Sequence, residues 1–351
     1  MYLILAIIIF GVLIAIHEFG HFIAAKACGV RVNEFSIGMG PAIWKKQKGE
    51  TLYALRVLPL GGYCAMEGEE GESDDERSFQ KKSRPKRFVI LAAGAVMNFL
   101  LGIVLIMVTF IGVESFAAPV ITGFLDGCPY EGDFQVGDRF YRINGERIYF
   151  TGDVSTYLAR NGGSNLMDIT VIRDGEEVEF EDYEMTPAEY EQDGEKVMLY
   201  GFYMQSTESG PLAFLKYSWY QALDFVRLVR IGLVDLVTGG AAMSDMAGVV
   251  GIVDMMQTVG SQAPSVAVGV QNVLYIGALI AVNLAVMNLL PIPGLDGGQI
   301  MFLVLTWIIE RFTRRKLDPK YVGYVNAAGL ILLMGLMVVV MYNDIARIIS
   351  G

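Results

Sequence analysis

The sequence is poor in charge and has almost no histidine. Charged residues make up 19% of its 351 residues, against roughly 25% in soluble globular chains, which disfavours an ordinary soluble enzyme. The net charge of −11 argues against nucleic-acid binding, because that function requires a basic surface. The cysteines Cys28, Cys64 and Cys128 are far apart and odd in number, so they provide neither a disulfide framework nor a cysteine zinc cluster.

Hydrophobic residues, in contrast, make up 53% of the chain and gather in four long apolar windows. A membrane-spanning helix needs about 20 mostly apolar residues, and each window meets this length. The sequence therefore predicts a polytopic α-helical membrane protein with four transmembrane helices. The windows are Tyr2 to Ala27, Phe88 to Val113, Val266 to Leu290 and Val322 to Ile345.

Basic residues are distributed unevenly between the predicted spans. The loop from Lys26 to Arg87 holds 12 Lys and Arg residues, and the loop from Arg311 to Lys320 holds 5. The stretch from Val113 to Ala267 holds 9 basic and 24 acidic residues. Since basic loops stay in the cytoplasm, we expect both termini and the acidic stretch to lie outside it.

The segments between the spans carry signals of their own. Runs of alternating residues at 169–172 and 177–180, with the turn dipeptides Asn144-Gly145 and Asp174-Gly175, predict a small β-rich soluble domain. Residues 211–240 interleave apolar and charged side chains, which predicts an amphipathic helix on the outer membrane surface or on that domain.

Between the first two spans, alternation over 52–58 followed by Leu60-Gly-Gly-Tyr63 predicts strands with a tight turn at the glycine pair. Residues 67–76 are expected to form an acidic, solvated loop.

The first span carries three ionisable residues in an otherwise apolar run, His17-Glu18-Phe19-Gly20-His21. Positions i and i+4 of a helix lie on the same face, so both imidazoles can reach one cation with Glu18 beside it. Zinc favours neutral imidazole, and a catalytic zinc site leaves one position open for water. Glu18 would be the general base and later the proton donor to the leaving amine.

The alternative is a chance occurrence of this pattern on a structural helix. The chain has only two histidines, however, and both belong to the motif. Ionisable side chains inside a span also cost roughly several kcal/mol unless something holds them. From Tyr2 to His17 the helix rises ~22 Å into a core of ~30 Å, so we expect the metal within the bilayer, nearer the cytoplasmic face.

A third metal ligand must come from elsewhere in the sequence. The strongest candidate is Asp296, in the segment from Asn288 to Gly298 that closes the third span. Pro291 and Pro293 break the helix there, and broken backbone at membrane depth is tolerated only where protein buries it or where it lines a wet cavity. Alternatively, Asp296 caps the following helix, predicted from Gln299 to Arg311, and one residue can do both.

Two asparagines lie inside the predicted spans, Asn98 early in the second and Asn288 late in the third. One possibility is that each asparagine binds substrate, by holding its extended backbone or by polarising a substrate carbonyl. The alternative is that each forms an interhelical hydrogen bond. The sequence leaves both roles open.

Together these segments resemble the site-2 protease family of intramembrane zinc metalloproteases. The resemblance rests on HEFGH at 17–21, GAVMN at 94–98 and NLLPIPGLDGG at 288–298. The external domain between spans two and three resembles the bacterial subgroup that releases sigma factors by cutting membrane-anchored anti-sigma factors. Residues 58–63 resemble that subgroup's membrane-associated β-loop, and residues 119–123 with 136–145 resemble a single PDZ domain.

The resemblance implies that His17, His21 and Asp296 bind zinc and that Glu18 is the catalytic acid and base. Asn98 matches the position implied in substrate handling, and we expect Asn288, Gly61 and Gly62 to contact substrate as well. The implied domains are two halves of the protease membrane core at 1–113 and 266–351, a PDZ-like extracytoplasmic domain at 114–206 and an amphipathic membrane-surface segment at 207–265.

The sequence thus predicts a Zn²⁺-dependent metalloendopeptidase of the bacterial cell membrane. It would hydrolyse a peptide bond within the transmembrane segment of single-span proteins, such as anti-sigma factors or signal-peptide remnants. Its expected partners are these substrates, membrane lipids and a peptide ligand of the PDZ-like domain, but no nucleic acid.

Two rival functions come from other classes of protein. A membrane scaffold would use structural zinc, but such sites usually have four protein ligands and only three are found in this sequence. A zinc or proton-coupled transporter would need polar residues across the whole bilayer, whereas these spans have them only in the inner half.

Overall fold

The structure, a computed structural model, describes residues 1–69, 71, 73–159, 165–192, 195–239, 247–313 and 319–350. It divides into two compact units, of which unit 1 comprises Met1–Thr109 and Phe225–Gly351 and unit 2 comprises Phe110–Asp224. The helices are α1 (Tyr2–Ala27), α2 (Arg84–Thr109), α3 (Thr151–Ala159), α4 (Pro211–Thr238), α5 (Val249–Ser261), α6 (Val266–Leu289), α7 (Asp296–Thr313) and α8 (Pro319–Ser350). The strands are β1 (Val32–Lys48), β2 (Thr51–Met66), β3 (Ser115–Ala117), β4 (Gly123–Phe124), β5 (Arg139–Ile143), β6 (Glu146–Arg147), β7 (Leu166–Arg173), β8 (Glu176–Glu184), β9 (Ala188–Gln192), β10 (Glu195–Leu199), β11 (Phe202–Tyr203) and β12 (Thr207–Ser209).

Four helices of unit 1 are long and apolar enough to cross a membrane, and they confirm the four predicted windows. They are Tyr2–Ala27, Arg84–Thr109, Val266–Leu289 and Gly323–Ile349. The second begins at Arg84 rather than at Phe88, because the basic residues before Phe88 continue the helix although they are not apolar. The predicted basic loop from Arg311 to Lys320 lies outside the described residues at 314–318.

Helices α1, α2 and α6 approach one another closely at glycines. A methyl group on Gly20 of α1 would lie 2.4 Å from the carbonyl oxygen of Ala93 in α2. A methyl group on Gly102 of α2 would lie 2.7 Å from the side chain of Val282 in α6. Small residues at such contacts let membrane helices pack backbone against backbone, so these three helices form a tightly packed core.

Between α1 and α2 the chain forms a sheet from β1 and β2, which pair antiparallel. The chain reverses after Lys48, which is paired with Thr51, and Gly49 in this turn has a φ of +62°. Glu34 is opposite both Leu52 and Ala65. The first half of β1 therefore lies between the two halves of β2.

Strand β2 continues through Leu60-Gly-Gly-Tyr63 to Met66, but its two halves run in opposite directions. Residues 34–37 of β1 pair with residues 52–55 of β2 in ascending order and with residues 62–65 in descending order. The chain therefore reverses between residues 55 and 62 as well as at residues 49–50. Gly61 has a φ of +85°, a conformation that glycine adopts readily, in keeping with the turn predicted at the glycine pair.

The broken segment predicted after the third span is confirmed. Helix α6 ends at Leu289 and α7 begins at Asp296, because two prolines between them cannot donate backbone hydrogen bonds. Tight turns join the helices, with the Leu295 N–H donating to the Ile292 carbonyl at 3.2 Å. A methyl group on Gly297 would lie 2.2 Å from the carbonyl oxygen of Leu290. Asp296 thus opens α7, which was predicted to begin at Gln299.

The last membrane helix is joined to the short apolar helix α5 by a buried carboxylate. Asp344 of α8 accepts hydrogen bonds from the backbone N–H groups of Gly248, at 3.2 Å, and Gly251, at 2.8 Å. These N–H groups belong to the first turn of α5 and have no partner within that helix. Asp344, whose side chain is buried, also pairs with Arg347 at 3.2 Å. It therefore caps α5 from a distant part of the chain.

Unit 2 is rich in β-strands, as predicted. Its largest sheet has the order β6-β5-β7-β8, and the turn dipeptides Asn144-Gly145 and Asp174-Gly175 lie between successive strands with positive φ angles. Smaller two-stranded sheets pair β3 with β12, β4 with β11 and β9 with β10. Buried Asp138 of this unit is held by Arg173 at 2.7 Å.

The predicted amphipathic helix is α4, which ends at Thr238; residue 240 of the predicted range lies outside the described residues. In its first half, Ala213 and Tyr217 are buried against Phe116 of unit 2. This half of α4 therefore packs on the β-rich unit, in keeping with the second of the two locations considered for it.

Candidate metal centre

Three potential zinc ligands from distant parts of the sequence lie together in unit 1. His17 and His21 are one turn apart on α1, and Asp296 is the first residue of α7. The Nε2 atoms of both histidines lie 3.3 Å from Asp296 Oδ2 and 3.2 Å from each other. Among the described residues these three form the group of His, Cys, Asp and Glu side chains suited to a metal ion.

The geometry of this group fits zinc. In a tetrahedral site with bonds of about 2.0 to 2.1 Å, the ligand atoms lie about 3.3 to 3.4 Å apart, and the three distances here are 3.2, 3.3 and 3.3 Å. Asp296 Oδ2 is also a buried atom without a hydrogen-bond partner in the described part of the chain. A buried carboxylate oxygen in this condition is costly unless a cation neutralises it, so the donor set suits a three-ligand zinc site.

The imidazole of His21 is oriented by the backbone of α2. Its Nδ1 lies 2.8 Å from the carbonyl oxygen of Ile90. A carbonyl oxygen only accepts hydrogen bonds, so Nδ1 carries the proton and Nε2 directs its lone pair at the group's centre.

Asn98 lies beside His17 Nδ1, as the Ile90 carbonyl lies beside His21 Nδ1. Its amide lies 3.4 Å from His17 Nδ1 through Nδ2, and its Oδ1 is buried without a partner in the described chain. If His17 binds metal through Nε2, its Nδ1 must donate a proton. Rotation of the amide by 180° satisfies both groups, because it places the unpartnered Oδ1 against the Nδ1–H. The interhelical hydrogen bond that the sequence left open for Asn98 is therefore one to His17, a candidate metal ligand.

Gly94 of α2 makes room for both imidazoles. A methyl group at this position would lie 2.4 Å from His21 Nε2 and 2.7 Å from His17 Cε1. Contacts this short do not occur between real atoms, so the ligands can reach their positions only because residue 94 has no side chain.

Glu18 lies beside the metal-ligand group and faces the sheet. A methyl group on Gly62 would lie 3.2 Å from Glu18 Cγ, so Glu18 packs against the bend of β2. Burial raises the pKa of the Cys64 thiol, and the charge of Glu18 adds to this effect. Cys64 is therefore a neutral thiol, and Glu18 is the group beside the ligands that can accept a proton.

The three candidate ligands and Glu18 line one cavity of about 500 Å³. The metal ligands and Glu18 form one wall, and residues 63–66 of β2 form another. The side chains of His17, His21 and Asp296 are 15%, 9% and 16% exposed. The site is thus largely shielded but reachable from the cavity, as a hydrolytic centre requires.

Comparison with known proteins identifies the family. A sequence model of peptidase family M50 matches residues 5–336, which is nearly the whole chain. The chain belongs to peptidase family M50. This is the site-2 protease family, so the resemblance described from the sequence motifs is confirmed.

Curated relatives of this M50 peptidase agree with the donor set. A Clostridium perfringens protein whose name describes it as a zinc metalloprotease is 37% identical over 350 residues, covering 98% of each chain. The regulator of sigma-W protease RasP of Bacillus subtilis is 29% identical over 427 residues, covering 97% of each chain. Zinc metalloprotease RasP of Bacillus licheniformis is 29% identical over 426 residues, covering 97% of this chain and 98% of its own. The protein is therefore a zinc-dependent peptide hydrolase, which excludes the scaffold and transporter alternatives as its main activity.

The structure brings most of the predicted site residues of this M50 peptidase together. Gly62 contacts Glu18, whereas Gly61 faces Met39, whose side chain a methyl group would meet at 2.5 Å. Asn288 lies in the last turn of α6 and is not among the residues that line the cavity.

Gly94 and Ile90 were given no role by the sequence. Gly94 stands in the GAVMN segment as one small residue in an apolar span, and its position opposite the histidines is visible only in three dimensions. Ile90 contributes through its backbone carbonyl, which no side-chain pattern reveals.

Proposed function

We propose that this zinc metalloprotease cleaves a peptide bond within the transmembrane segment of single-span membrane proteins. The observation that carries the proposal is the place of the ligands. His17 and His21 lie in α1, an apolar helix of 26 residues that is long enough to cross a membrane, and Asp296 joins them at the break after another such helix, α6. Residue 17 is ~22 Å along α1, within a hydrocarbon core of ~30 Å.

The residues of this site divide the chemistry between them. His17, His21 and Asp296 would hold zinc, which when bound polarises a peptide carbonyl as a Lewis acid and makes a water molecule more acidic. Glu18 accepts the proton from the attacking water and then donates it to the leaving nitrogen. Glu18 lines the same cavity as the three candidate ligands.

A membrane helix must unwind before its carbonyl groups can be attacked. Residues 63–66 of β2 line the same cavity as Glu18 and pair on one side with β1, the one strand that shares a sheet with β2 in the described chain. We propose that an unwound substrate segment adds to β2 as a further strand. Gly62, which packs against Glu18, lies on this face of the site. Asn98 and Asn288 do not line the cavity, and each is proposed to contact the substrate beyond it.

The proposed topology follows from charge. The basic loops face the cytoplasm and both termini face outward, so the zinc site lies in the cytoplasmic half of the membrane. The proposed domains remain those of the sequence, with residues 114–206 as a PDZ-like extracytoplasmic domain that binds a peptide or filters substrates by size. Residues 207–265, which connect this domain in sequence to the second half of the core at 266–351, are proposed as a membrane-surface segment, except that Met256 of α5 is buried with residues of α1 and α6.

The proposed pathway is regulated intramembrane proteolysis in the bacterial cell membrane. The name of the Bacillus subtilis relative describes a regulator of sigma-W, which supports anti-sigma factors as one substrate class. Signal-peptide remnants are a second class of single-span segment that the same cavity can take.

The test uses Glu18→Gln in the full-length protein, reconstituted in lipid vesicles with a tagged single-span substrate. Removal of a general base lowers the rate by about 10² to 10⁴-fold, whereas zinc content should be unchanged because Glu18 is not a ligand. Glu76→Gln is the matched control, since Glu76 is 92% exposed. Mass spectrometry of the products locates the cleaved bond. Cleavage at the wild-type rate by Glu18→Gln refutes the proton-transfer role, and a cut outside the apolar segment refutes intramembrane cleavage.

A further inference from the structure

A second cavity of unit 1 lies between the start of α2 and the middle of α7. Its volume is about 510 Å³, and its lining includes Lys82, Ser83, Arg84 and Arg87 from the α2 side and Trp307 from α7. None of its lining residues belongs to the zinc site. Three of the lining side chains are basic and none is acidic, so this cavity is cationic.

Two of the three basic groups, Lys82 and Arg87, form no ion pair within the described part of the chain. Arg84 forms an ion pair with Glu310. The Lys82 ammonium donates one hydrogen bond, at 3.3 Å, to the backbone carbonyl of Glu76, and an ammonium can donate three. The Arg87 guanidinium lies over the ring of Phe79, 5.0 Å from its centroid, and its Nε is buried without a hydrogen-bond partner in the described chain.

The acidic groups nearby do not cancel these two charges. Glu310 is used by Arg84, and the Glu76 carboxylate is 92% exposed and lies 3.5 Å from the Lys81 ammonium. Lys82 and Arg87 therefore leave the cavity with a net positive charge and with unused donors.

The N-terminus of α2 adds to this attraction for anions. The first backbone hydrogen bond of the helix runs from the Arg87 N–H to the Ser83 carbonyl, at 3.1 Å. The N–H groups of Arg84 and Lys86 come before it and have no partner inside the helix. Pro85 stands between them and has no N–H. The positive end of a 26-residue helix thus lies at the same cavity and favours a negative group there.

The cavity lies at the depth of the lipid headgroups. Gly94, at the zinc site, is ten residues into α2 from Arg84, and Trp307 is eleven residues into α7 from Asp296. Each distance corresponds to a rise of about 15 to 17 Å. A zinc site ~22 Å into a core of ~30 Å lies only ~8 Å from the cytoplasmic edge of the hydrocarbon, so the cavity lies beyond that edge. Tryptophan is enriched at this interface, and Trp307 is 50% exposed.

Apolar side chains continue from the cavity toward the membrane interior. Phe88 of α2 follows Arg87 directly and is 47% exposed. Val304 of α7 lies three residues before Trp307, on the same face of the helix, and is 44% exposed. A ligand with a phosphate in the cavity and hydrocarbon chains along these residues matches both surfaces.

We propose that this cavity binds the phosphate headgroup of an anionic phospholipid. Lys82, Arg87 and the N-terminus of α2 hold the phosphate, Trp307 lies against the glycerol region, and the acyl chains run past Phe88 and Val304. Basic pockets between membrane helices are suited to such headgroups. In the proposed topology this is a lipid of the cytoplasmic leaflet. Inorganic phosphate offers the same charge but no chains, and it is the alternative source that the experiment must separate.

The test measures how brominated lipids quench Trp307 in the full-length zinc-loaded protein. The chain has three tryptophans, so the variant Trp44→Phe with Trp219→Phe leaves Trp307 as the sole emitter. Brominated phosphatidylglycerol should quench it at a much lower mole fraction than brominated phosphatidylcholine. Each basic group near an anionic headgroup contributes about a fivefold factor, so adding Lys82→Gln and Arg87→Gln should reduce the preference by about thirtyfold.

The matched control removes two exposed basic groups from the same loop, Lys45→Gln and Lys46→Gln, and should keep the full preference. All variants are checked for wild-type zinc content and a wild-type melting temperature; if Arg87→Gln lowers the latter, Lys82→Gln alone should still lose about fivefold. The proposal is overturned if both lipids quench equally, if the control loses as much as the test variant, or if millimolar inorganic phosphate abolishes the preference, which would indicate a site for free anions.

Discussion

The substitution Gly94→Ala tests whether the zinc site depends on the backbone of α2. It adds a single methyl group to a helix that spans the membrane. On helix propensity alone alanine is favoured over glycine by about 1 kcal/mol. The prediction is nevertheless that zinc binding and proteolysis are lost, because the new methyl group has no space.

The magnitude follows from the distances around Gly94. The added carbon would lie 2.4 Å from His21 Nε2 and 2.8 Å from His17 Nδ1, whereas ordinary contact begins near 3.4 Å. At least one imidazole must therefore retreat by about 1 Å. A zinc–nitrogen bond is about 2.0 to 2.1 Å long, so a displacement of this size breaks it. Changes in groups that merely orient ligands cost 10- to 100-fold in metal affinity, and loss of a ligand should cost at least the upper value.

The assay compares Gly94→Ala with Gly335→Ala in full-length protein. Gly335 lies in α8, and a methyl group there meets no atom within 4 Å, so this control makes the same chemical change in a membrane helix with open space. Zinc per protein is measured by elemental analysis, and zinc affinity by competition with a chelator. We expect Gly335→Ala to behave as wild type and Gly94→Ala to lose zinc at free concentrations that saturate the control. Full zinc occupancy and wild-type cleavage in Gly94→Ala would refute the reasoning.

Two further predictions concern polar groups that act on other residues. Asn98→Ala should lower zinc affinity by about 10- to 100-fold, because His17 Nδ1 loses the acceptor that orients it; Asn98→Asp supplies an acceptor oxygen and should largely retain zinc. Equal zinc affinity in Asn98→Ala and wild type, with only the Michaelis constant for substrate changed, would assign Asn98 to the substrate instead. Asp344→Ala should destabilise the protein by about 1 to 2 kcal/mol through loss of the cap on α5, measured as a lower midpoint of thermal unfolding with a thiol-reactive dye, while exposed Asp254→Ala should leave that midpoint unchanged.

The membrane helices could be predicted from the sequence because their signal is local. A run of about 20 apolar residues has few alternatives in a membrane protein, and each window corresponds to a helix. The ends were less certain, because charged residues can continue a helix past its apolar part. Arg84 begins α2 for this reason, and the C-terminal end of the fourth span lies at Ile349 rather than at Ile345.

The sheet shows how far local reasoning reaches. Two adjacent glycines at 61–62 have the composition of a turn, and the chain does reverse between residues 55 and 62. What the sequence could not show is that β1 fits between the two halves of β2, with Glu34 opposite both Leu52 and Ala65. Gly62 also needs to be small to pack against Glu18.

Part of the candidate site could also be predicted from the sequence. His17, Glu18 and His21 form a local motif, and its i, i+4 spacing places both imidazoles on one face of the helix. Asp296 required a distant segment, and it could be proposed because prolines and glycines broke an apolar span at matching depth. The parts that could not be predicted are contacts of the backbone, namely the Ile90 carbonyl and the space at Gly94, since these depend on how α2 crosses α1.

The close approach of α2 to α1 explains why so much of the site lies outside the motif. Gly20, the fourth residue of HEFGH, lets the Ala93 carbonyl come within a distance that a methyl group would block. The same approach brings the next residue of α2, Gly94, against the imidazoles, the Ile90 carbonyl against His21 and the Asn98 amide against His17. One helix crossing therefore makes room for the ligands and orients them. A zinc site at the proposed depth in the membrane needs this, because in hydrocarbon there is no water to satisfy the outer nitrogen of each imidazole.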